Sequence, residues 1–317
     1  MSDAGDTDKI VFIDGEAGTT GLQIRERLAH VAGIHVNSID PAQRKDAGAR
    51  REMMRDADLV VLCLPDDAAR EAVALADELG SKSPKIIDAS TAHRTAEGWV
   101  YGFAELDKGQ SRLIANATRV ANPGCYATGA IAIIRPLVEA GVVAPGFSIT
   151  INAVSGYTGG GKSMIASYKS GEGAAFELYG LELDHKHIPE IIAHAGLSQR
   201  PIFVPSVGAF EQGMLVSVPL QLELLGTSVM VAKLDEVYGS YYSNVGGQVR
   251  YHTRAEDGVI ETSRLRVDPA AGTDTMELWV LGNNGAHQAV VVARLDNLGK
   301  GAAGAAVQNI KLMLGLD

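Results

Sequence analysis

The sequence predicts a two-domain α/β protein: a parallel sheet with helices on both faces, followed by a mixed α/β domain. Three observations predict it. Before residues 118–122, short apolar runs alternate with stretches of helical periodicity. After them, the strand-like segments alternate apolar and polar residues, as half-exposed strands do. A glycine-rich turn joins the first apolar run to the first helical stretch.

Residues 10–13 read as the first strand and run into Gly15-Glu16-Ala17-Gly18-Thr19-Thr20-Gly21, with helical spacing over 22–31. In that context glycines let a dinucleotide pyrophosphate approach the backbone and a helix N-terminus, which makes this a Rossmann-type domain. The spacing is GxxGxxG rather than GxGxxG, and a plain tight turn is the alternative. The second strand, 34–39, ends at Asp40-Pro41. Asp40 can accept from a ribose hydroxyl and favour NAD, whereas Arg44 and Lys45 can pair with a 2′-phosphate and favour NADP. The third strand, 58–64, contains Cys63 as core and ends at Pro65, with Asp66 or Asp67 placed to cap the next helix. The fourth, 85–88, precedes Ala89-Ser90-Thr91.

A domain boundary falls near 118–122. It divides residues 1–121, completed by a C-terminal helix in 297–317, from a catalytic and dimerisation domain over 122–296. Next comes Asn122-Pro123-Gly124-Cys125-Tyr126-Ala127-Thr128, a turn signal followed by an apolar helix ending before Gly141. Cys125 therefore sits at or beside a helix N-terminus. Orphan N–H groups and the macrodipole there favour a thiolate and can hold an oxyanion, so Cys125 is a candidate nucleophile. A buried structural cysteine is the alternative. Residues 148–154, 213–222, 245–251 and 275–280 alternate as strands, and 299–314 read as a Gly/Ala-rich helix packing back on the first domain.

Residues 156–163 satisfy the P-loop pattern letter for letter, but the strand before them alternates and Gly171 interrupts the segment after them. A flexible polar loop fits better, with Ser155 and Lys162 able to meet an anionic substrate. In His185-Lys186-His187-Ile188-Pro189-Glu190-Ile191, His187 and Glu190 are three apart and share a face if a helix starts there. That pair suits acid/base work, and His185 and Lys186 add cationic donors; an ordinary charged helix start is the alternative. His30, His35, His93, His194, His252 and His287 have no comparable company in the sequence.

Composition sets bounds on function. A net charge of −10 over 317 residues argues against nonspecific nucleic-acid binding but not against small anions. No apolar stretch reaches membrane-span length, and the first nine residues are a polar acidic lead-in rather than a signal peptide. Two cysteines in unlike contexts predict no disulfide and a reducing cytoplasm. No Cys/His cluster has metal spacing.

The segments DGEAGTTGLQIRERL, LCLPDD, IIDASTAHR, VYGFAEL, ANPGCYATGA, AVSGYTGGGK, HKHIPEI and DNLGKGAAGAAVQN run nearly end to end. Through them the chain resembles the N-acetyl-γ-glutamyl-phosphate reductase family, in its shorter sequence type. The resemblance implies a catalytic domain of the semialdehyde-dehydrogenase type and a dimer or tetramer. It also implies NADPH-dependent reduction of an acyl phosphate to N-acetyl-glutamate semialdehyde in arginine biosynthesis, without a metal. On it, Cys125 matches the nucleophile, His187 the acid/base, Glu190 its partner and His185 a substrate contact. Asp88, Ser90 and Arg94 match a stretch near the active site, and Asn297 to Ala302 a helix start that approaches the cofactor. Together with the residue reading, this places Gly15, Gly18, Thr19, Thr20, Gly21, Arg44, Pro65, Ser90 and Asn297 at the cofactor. Asn122, Arg94, Ser155, Lys162 and His185 are placed at the substrate. The chain has Glu211-Gln212-Gly213 where the longer type has an Arg-Gly pair, so Lys162 or Arg94 takes that anchoring role. The rivals are aspartate-semialdehyde dehydrogenase or a related acyl-phosphate reductase and, from other classes, an NTPase built on 156–163 or a silent NADP sensor.

Overall fold

The protein is described from a computed structural model, over residues 8–226, 229–253 and 264–316; most of the acidic lead-in (residues 1–7) lies outside that range. The chain divides into two compact units. One comprises Met1–Ala104, Gly109–Pro123 and Ala302–Asp317, and the other Glu105–Lys108 with Gly124–Gly301.

The first unit is built on six strands: β1 (Lys9–Asp14), β2 (Ile34–Asn37), β3 (Leu59–Leu62), β4 (Lys85–Asp88), β5 (Val100–Tyr101) and β6 (Arg119–Ala121). They pair in the order β2-β1-β3-β4-β6-β5, every pair parallel. Wholly apolar runs such as Leu59–Leu62 are what such a sheet requires, because both faces are covered. One face receives Ile24 and Leu28 of α1 (Thr19–Leu28), Ile114 of α4 (Gln110–Asn116) and Val307, Ile310 and Met313 of α9 (Gly304–Leu314). The other receives Met54 of α2 (Ala47–Arg55) and Ala69, Ala72 and Ala76 of α3 (Asp66–Asp77). The alanines let α3 lie close to the sheet.

Three local expectations change. α1 begins at Thr19, inside the glycine run rather than at residue 22. β2 stops at Asn37, because the Asp40 carboxylate accepts the Ala42 N–H and starts a 3-10 turn with Pro41. The cap position of α3 is Pro65, not an aspartate; the Asp66 carboxylate instead accepts from the N–H and hydroxyl of Thr91.

The second unit carries a mixed sheet of β7 (Thr150–Gly156), β8 (Phe176–Leu178), β9 (Ile202–Gly208), β10 (Met214–Gln221), β11 (Val249–His252), β12 (Met276–Asn283) and β13 (Gln288–Leu295). Their order is β11-β12-β13-β10-β7-β9-β8. Helix α5 (Cys125–Glu139) packs on β10 and β13. It comes close because Gly129 has no side chain; a Cβ there would stand 2.7 Å from Val216. Pro136 lies within α5 and cannot donate to the carbonyl of Ala132. The Tyr242 hydroxyl of α8 (Val231–Val245) supplies that bond at 2.7 Å.

The strand expected over 245–251 is shorter. Residue 245 ends α8, and Gly246 and Gly247 turn the chain at positive φ before β11. Residues 156–163 are not a flexible loop: β7 ends at Gly156, a 3-10 turn spans Tyr157–Gly160, and α6 (Gly161–Lys169) follows. Stacking of Tyr157 on Tyr168 at 4.6 Å ties that turn to α6. β7 lies between antiparallel β10 and parallel β9, unlike the parallel surroundings of a P-loop. Residues 299–314 form a π-turn (Gly299–Ala303) and then α9, rather than one uniform helix. Among the described residues, no helix is long and apolar enough to cross a membrane.

Candidate active site

Cys125 is the first residue of α5, directly after the extended cap residue Gly124, and no side chain caps that end. The first-turn N–H groups therefore point out of the helix beside the sulfur, where they favour a thiolate or an oxyanion. The cap residue is held from outside. Gly124 N–H donates to Glu190 Oε2 at 3.1 Å, and Glu190 is 1% exposed.

Glu190 lies in the first turn of α7 (Ile188–Ala195), which packs on α5, and His187 is the residue just before that helix. The other Glu190 oxygen lies 3.9 Å from His187 Nε2. One buried carboxylate thus links the start of the cysteine helix to the histidine. His187 N–H donates to His185 Nδ1 at 3.1 Å, which leaves the His185 proton on Nε2.

The ring of Tyr126, next to the cysteine, lies 6.0 Å from His187, 5.8 Å from His185 and 5.4 Å from Phe203. Its hydroxyl donates to the Ser206 carbonyl at 2.8 Å. Burial, then the neighbouring Tyr179 and the Cys125 charge, push the Tyr126 phenol far up; burial also raises Tyr179. Both stay neutral donors. Sequence reading missed these aromatic walls. The signal for Tyr126 was its place beside Cys125; Tyr179 and Phe203 gave none.

The other expected residues divide by what they hold. In the second unit, Ser155 is buried on β7, and Lys162 lies exposed in the first turn of α6. Asn297 is a clasp: its oxygen accepts from Gly213 N–H and its nitrogen donates to Thr158 Oγ1, both at 2.9 Å. The Glu211 carbonyl accepts from the Thr158 hydroxyl at 2.6 Å, so the segment that replaces Arg-Gly supports this turn. In the first unit, buried Arg94 donates to the carbonyls of Asn122 and Ala89. Asn122 donates to the Ala302 carbonyl and accepts from Asn309. Ser90 donates to Asp88 at 2.7 Å, and Asp88 also takes His93 Nδ1 at 2.6 Å. His93 therefore has a carboxylate partner that its sequence neighbours did not reveal. So does His252, 2.9 Å from Glu277.

The glycine turn of the first unit fits a dinucleotide. Gly15 has φ +88 and its Cα faces the Cys63 carbonyl, so a Cβ would overlap it. Gly21 has no room either, with Glu16 backbone atoms 2.8 Å from a Cβ position. Gly18 caps α1 without a side-chain bond, leaving the end open for a phosphate above Thr19, Thr20 and Gly21. Ser38, just after β2, donates to Glu16 at 2.8 Å and accepts from Arg25, near where a ribose lies in this fold. Arg44 is exposed beyond the 3-10 turn.

The two thiols differ in environment. Burial, and then the charges of Asp88 and Asp14, push the Cys63 thiol up to about 12. At pH 8 only on the order of one part in ten thousand of it is thiolate. Iodoacetamide at that pH is therefore expected to modify Cys125 alone, as read by peptide mass spectrometry. Equal labelling of Cys63 would contradict the assignment.

The profile of the semialdehyde dehydrogenase NAD binding domain matches residues 21–114, and that of the semialdehyde dehydrogenase dimerisation domain matches 125–297. The N-acetyl-gamma-glutamyl-phosphate reductase of Rhizobium meliloti (strain 1021) is 50% identical over 309 residues, covering 96% of this chain and 98% of that protein. Among solved structures, aspartate semialdehyde dehydrogenase from Francisella tularensis aligns with a TM-score of 0.71 at 12% identity, over 97% of this chain and 100% of that one. The Candida albicans enzyme, solved with NADP, aligns with a TM-score of 0.66 at 12% identity, over 97% and 99%. Those likenesses establish the fold, and the sequence match establishes more: this chain belongs to the N-acetyl-γ-glutamyl-phosphate reductase family of semialdehyde dehydrogenases.

Proposed function

We propose that this chain reduces N-acetyl-γ-glutamyl phosphate to N-acetyl-glutamate semialdehyde with NADPH, releasing phosphate, in the cytoplasmic synthesis of arginine. The observation that carries the reading is the Glu190 bridge, one oxygen on the cap of the Cys125 helix and the other facing His187.

Cys125 attacks the acyl carbon and phosphate leaves, giving a thioester, with the first-turn N–H groups of α5 holding the developing oxyanion. NADPH, when bound, supplies the hydride that reduces this thioester. His187 protonates the oxygen, held for that task by Glu190. Collapse then returns that proton to His187, expels the Cys125 thiolate and frees the aldehyde. His185 and Ser155 contact the substrate, with Lys162, exposed in the first turn of α6, as the cation that reaches its anionic end. Asn122 and Arg94 set the backbone leading to the cysteine.

The glycine turn Gly15, Gly18, Thr19, Thr20 and Gly21 holds the pyrophosphate, with Pro65 and Ser90 extending the cofactor site in that unit; Asn297 is assigned to the cofactor from the family pattern. Arg25 of α1, Ser38 just after β2 and Arg44 beyond the 3-10 turn favour NADP over NAD through the 2′-phosphate. A homodimer or homotetramer forms through the apolar sheet face around Val154, Val204, Leu215, Phe176 and Leu178.

The test is phosphate-dependent reduction of NADP by N-acetyl-glutamate semialdehyde, beside aspartate semialdehyde and with NAD as cofactor control. Fast turnover with the first aldehyde and NADP is expected. Turnover with aspartate semialdehyde alone would overturn the substrate, and equal rates with NAD would overturn the cofactor preference.

A further inference from the structure

Glu105 of VYGFAEL and Lys300 of DNLGKGAAG, which the proposed reaction leaves unused, meet in an ion pair inside the second unit. Lys300 is 0% exposed and Glu105 is 1% exposed, with Nζ 2.6 Å from Oε2. The other Glu105 oxygen accepts the Gln248 N–H at 2.7 Å, and Lys300 Nζ lies 3.5 Å from the Gln248 side-chain oxygen. Gly247 leaves room for this carboxylate; a Cβ there would overlap Glu105. A pair this deeply buried is a poor source of stability, since desolvation offsets most of its attraction. Its position in the chain is more informative.

Lys300 lies in the π-turn, flanked by glycines that offer no side chain. Gly299 lies so close to the Thr273 carbonyl that a Cβ would overlap it. Gly301 N–H donates to the Asp296 carbonyl at 2.9 Å, the five-residue bond that defines such a turn. A Cβ on Gly301 would stand 2.9 Å from the Cβ of Cys125, so the turn backbone rests directly on the cysteine. The side chain that ties this turn to the rest of the unit is Lys300, and its anchor is Glu105.

We propose that the Glu105–Lys300 pair is a positioning device for Cys125: it holds the π-turn, and Gly301 in turn sets where the sulfur stands at the start of α5. The proposal rests on Cys125 being the nucleophile. Neither Glu105 nor Lys300 is a catalytic residue here; both act through the turn.

The test uses the neutral double variant Glu105→Gln/Lys300→Met, which leaves no unpaired charge buried, and Gly301→Ala, which spares the pair and pushes on the cysteine. For both, kcat and the rate of Cys125 alkylation by iodoacetamide at fixed pH are expected to fall together by about tenfold or more, with KM and NADPH affinity within about threefold. A merely structural pair would lower the melting temperature and leave both rates unchanged below it, and that result overturns the proposal. Should the double variant not fold, Gly301→Ala decides alone: wild-type kcat and alkylation in it overturn the proposal. Cys125→Ser separates the two claims. An active Cys125→Ser enzyme defeats the nucleophile itself, whereas an inactive one beside a double variant of wild-type rate defeats only the positioning role.

Discussion

Cys125→Ser is expected to lower kcat by roughly 10⁴-fold or more, while NADPH affinity stays within about twofold of the native enzyme. The size follows from what serine lacks. A helix N-terminus stabilises a thiolate because a thiol is already close to ionising near neutral pH, whereas a hydroxyl is far from it. His187 and Glu190 stand at the start of α7, with Glu190 bonded to the cap residue of α5, but a hydroxyl gives them no thiolate to work with. The variant should fold normally, because oxygen replaces sulfur at the first position of α5 without touching the Gly129–Val216 contact or the Gly124–Glu190 bond. Stopped assays with N-acetyl-γ-glutamyl phosphate, together with fluorescence titration of NADPH, read both quantities. Residual turnover above about one percent would remove Cys125 from the chemistry.

His187→Asn carries the second-largest expected effect, a fall in kcat of about 10²- to 10³-fold with a smaller change in KM. A histidine that must donate a proton is competent below its pKa and loses competence as pH rises. The native profile should therefore decline on the alkaline side, and the asparagine variant should lose that decline. Glu190 makes the case sharper. Its carboxylate faces Nε2 at 3.9 Å and, in the variant, still accepts from Gly124, so the cysteine helix keeps its cap while the proton donor disappears. A variant whose alkaline limb matched the native one would assign the proton transfer elsewhere.

The local geometry of the candidate site was legible because it is written in short spacings. Asn-Pro-Gly before an apolar run announces a helix start, and Cys125 stands at the first position of that helix. His187 and Glu190 are three apart at a second helix start, and they do face each other. The parallel sheet was legible from its wholly apolar strands, and its strands end a few residues before Asp40 and Pro65, where the apolar pattern stops. What joins distant parts was not legible. Glu105 and Lys300 are separated by 195 residues, and no periodicity connects them. His93 looked isolated because Asp88 reaches it from the end of a strand, across a turn. The strand expected from residue 245 failed because α8 carries its own apolar residues to that point, and two glycines then reset the direction. The 156–163 segment read as loop because its glycines mask a helix that begins only at Gly161.

The order of synthesis adds a constraint to the first unit. Its core closes only when α9 arrives, since Val307, Ile310 and Met313 fill the face shared with Ile24, Leu28 and Ile114. The final turns are also stitched in: Lys85 donates to the Met313 carbonyl, and Asn309 reaches Gly102 and Asn122. A ribosome makes all of residues 124–301 between Pro123 and that helix. At ordinary elongation rates this is an interval of roughly ten to forty seconds. Throughout it, the nascent nucleotide-binding half has all six of its strands but one face only partly covered, by α1 and α4, a surface that chaperones recognise, while the half translated second has all its elements before the first half receives its last helix. Vectorial folding is thereby inverted in this chain: the later half finishes earlier.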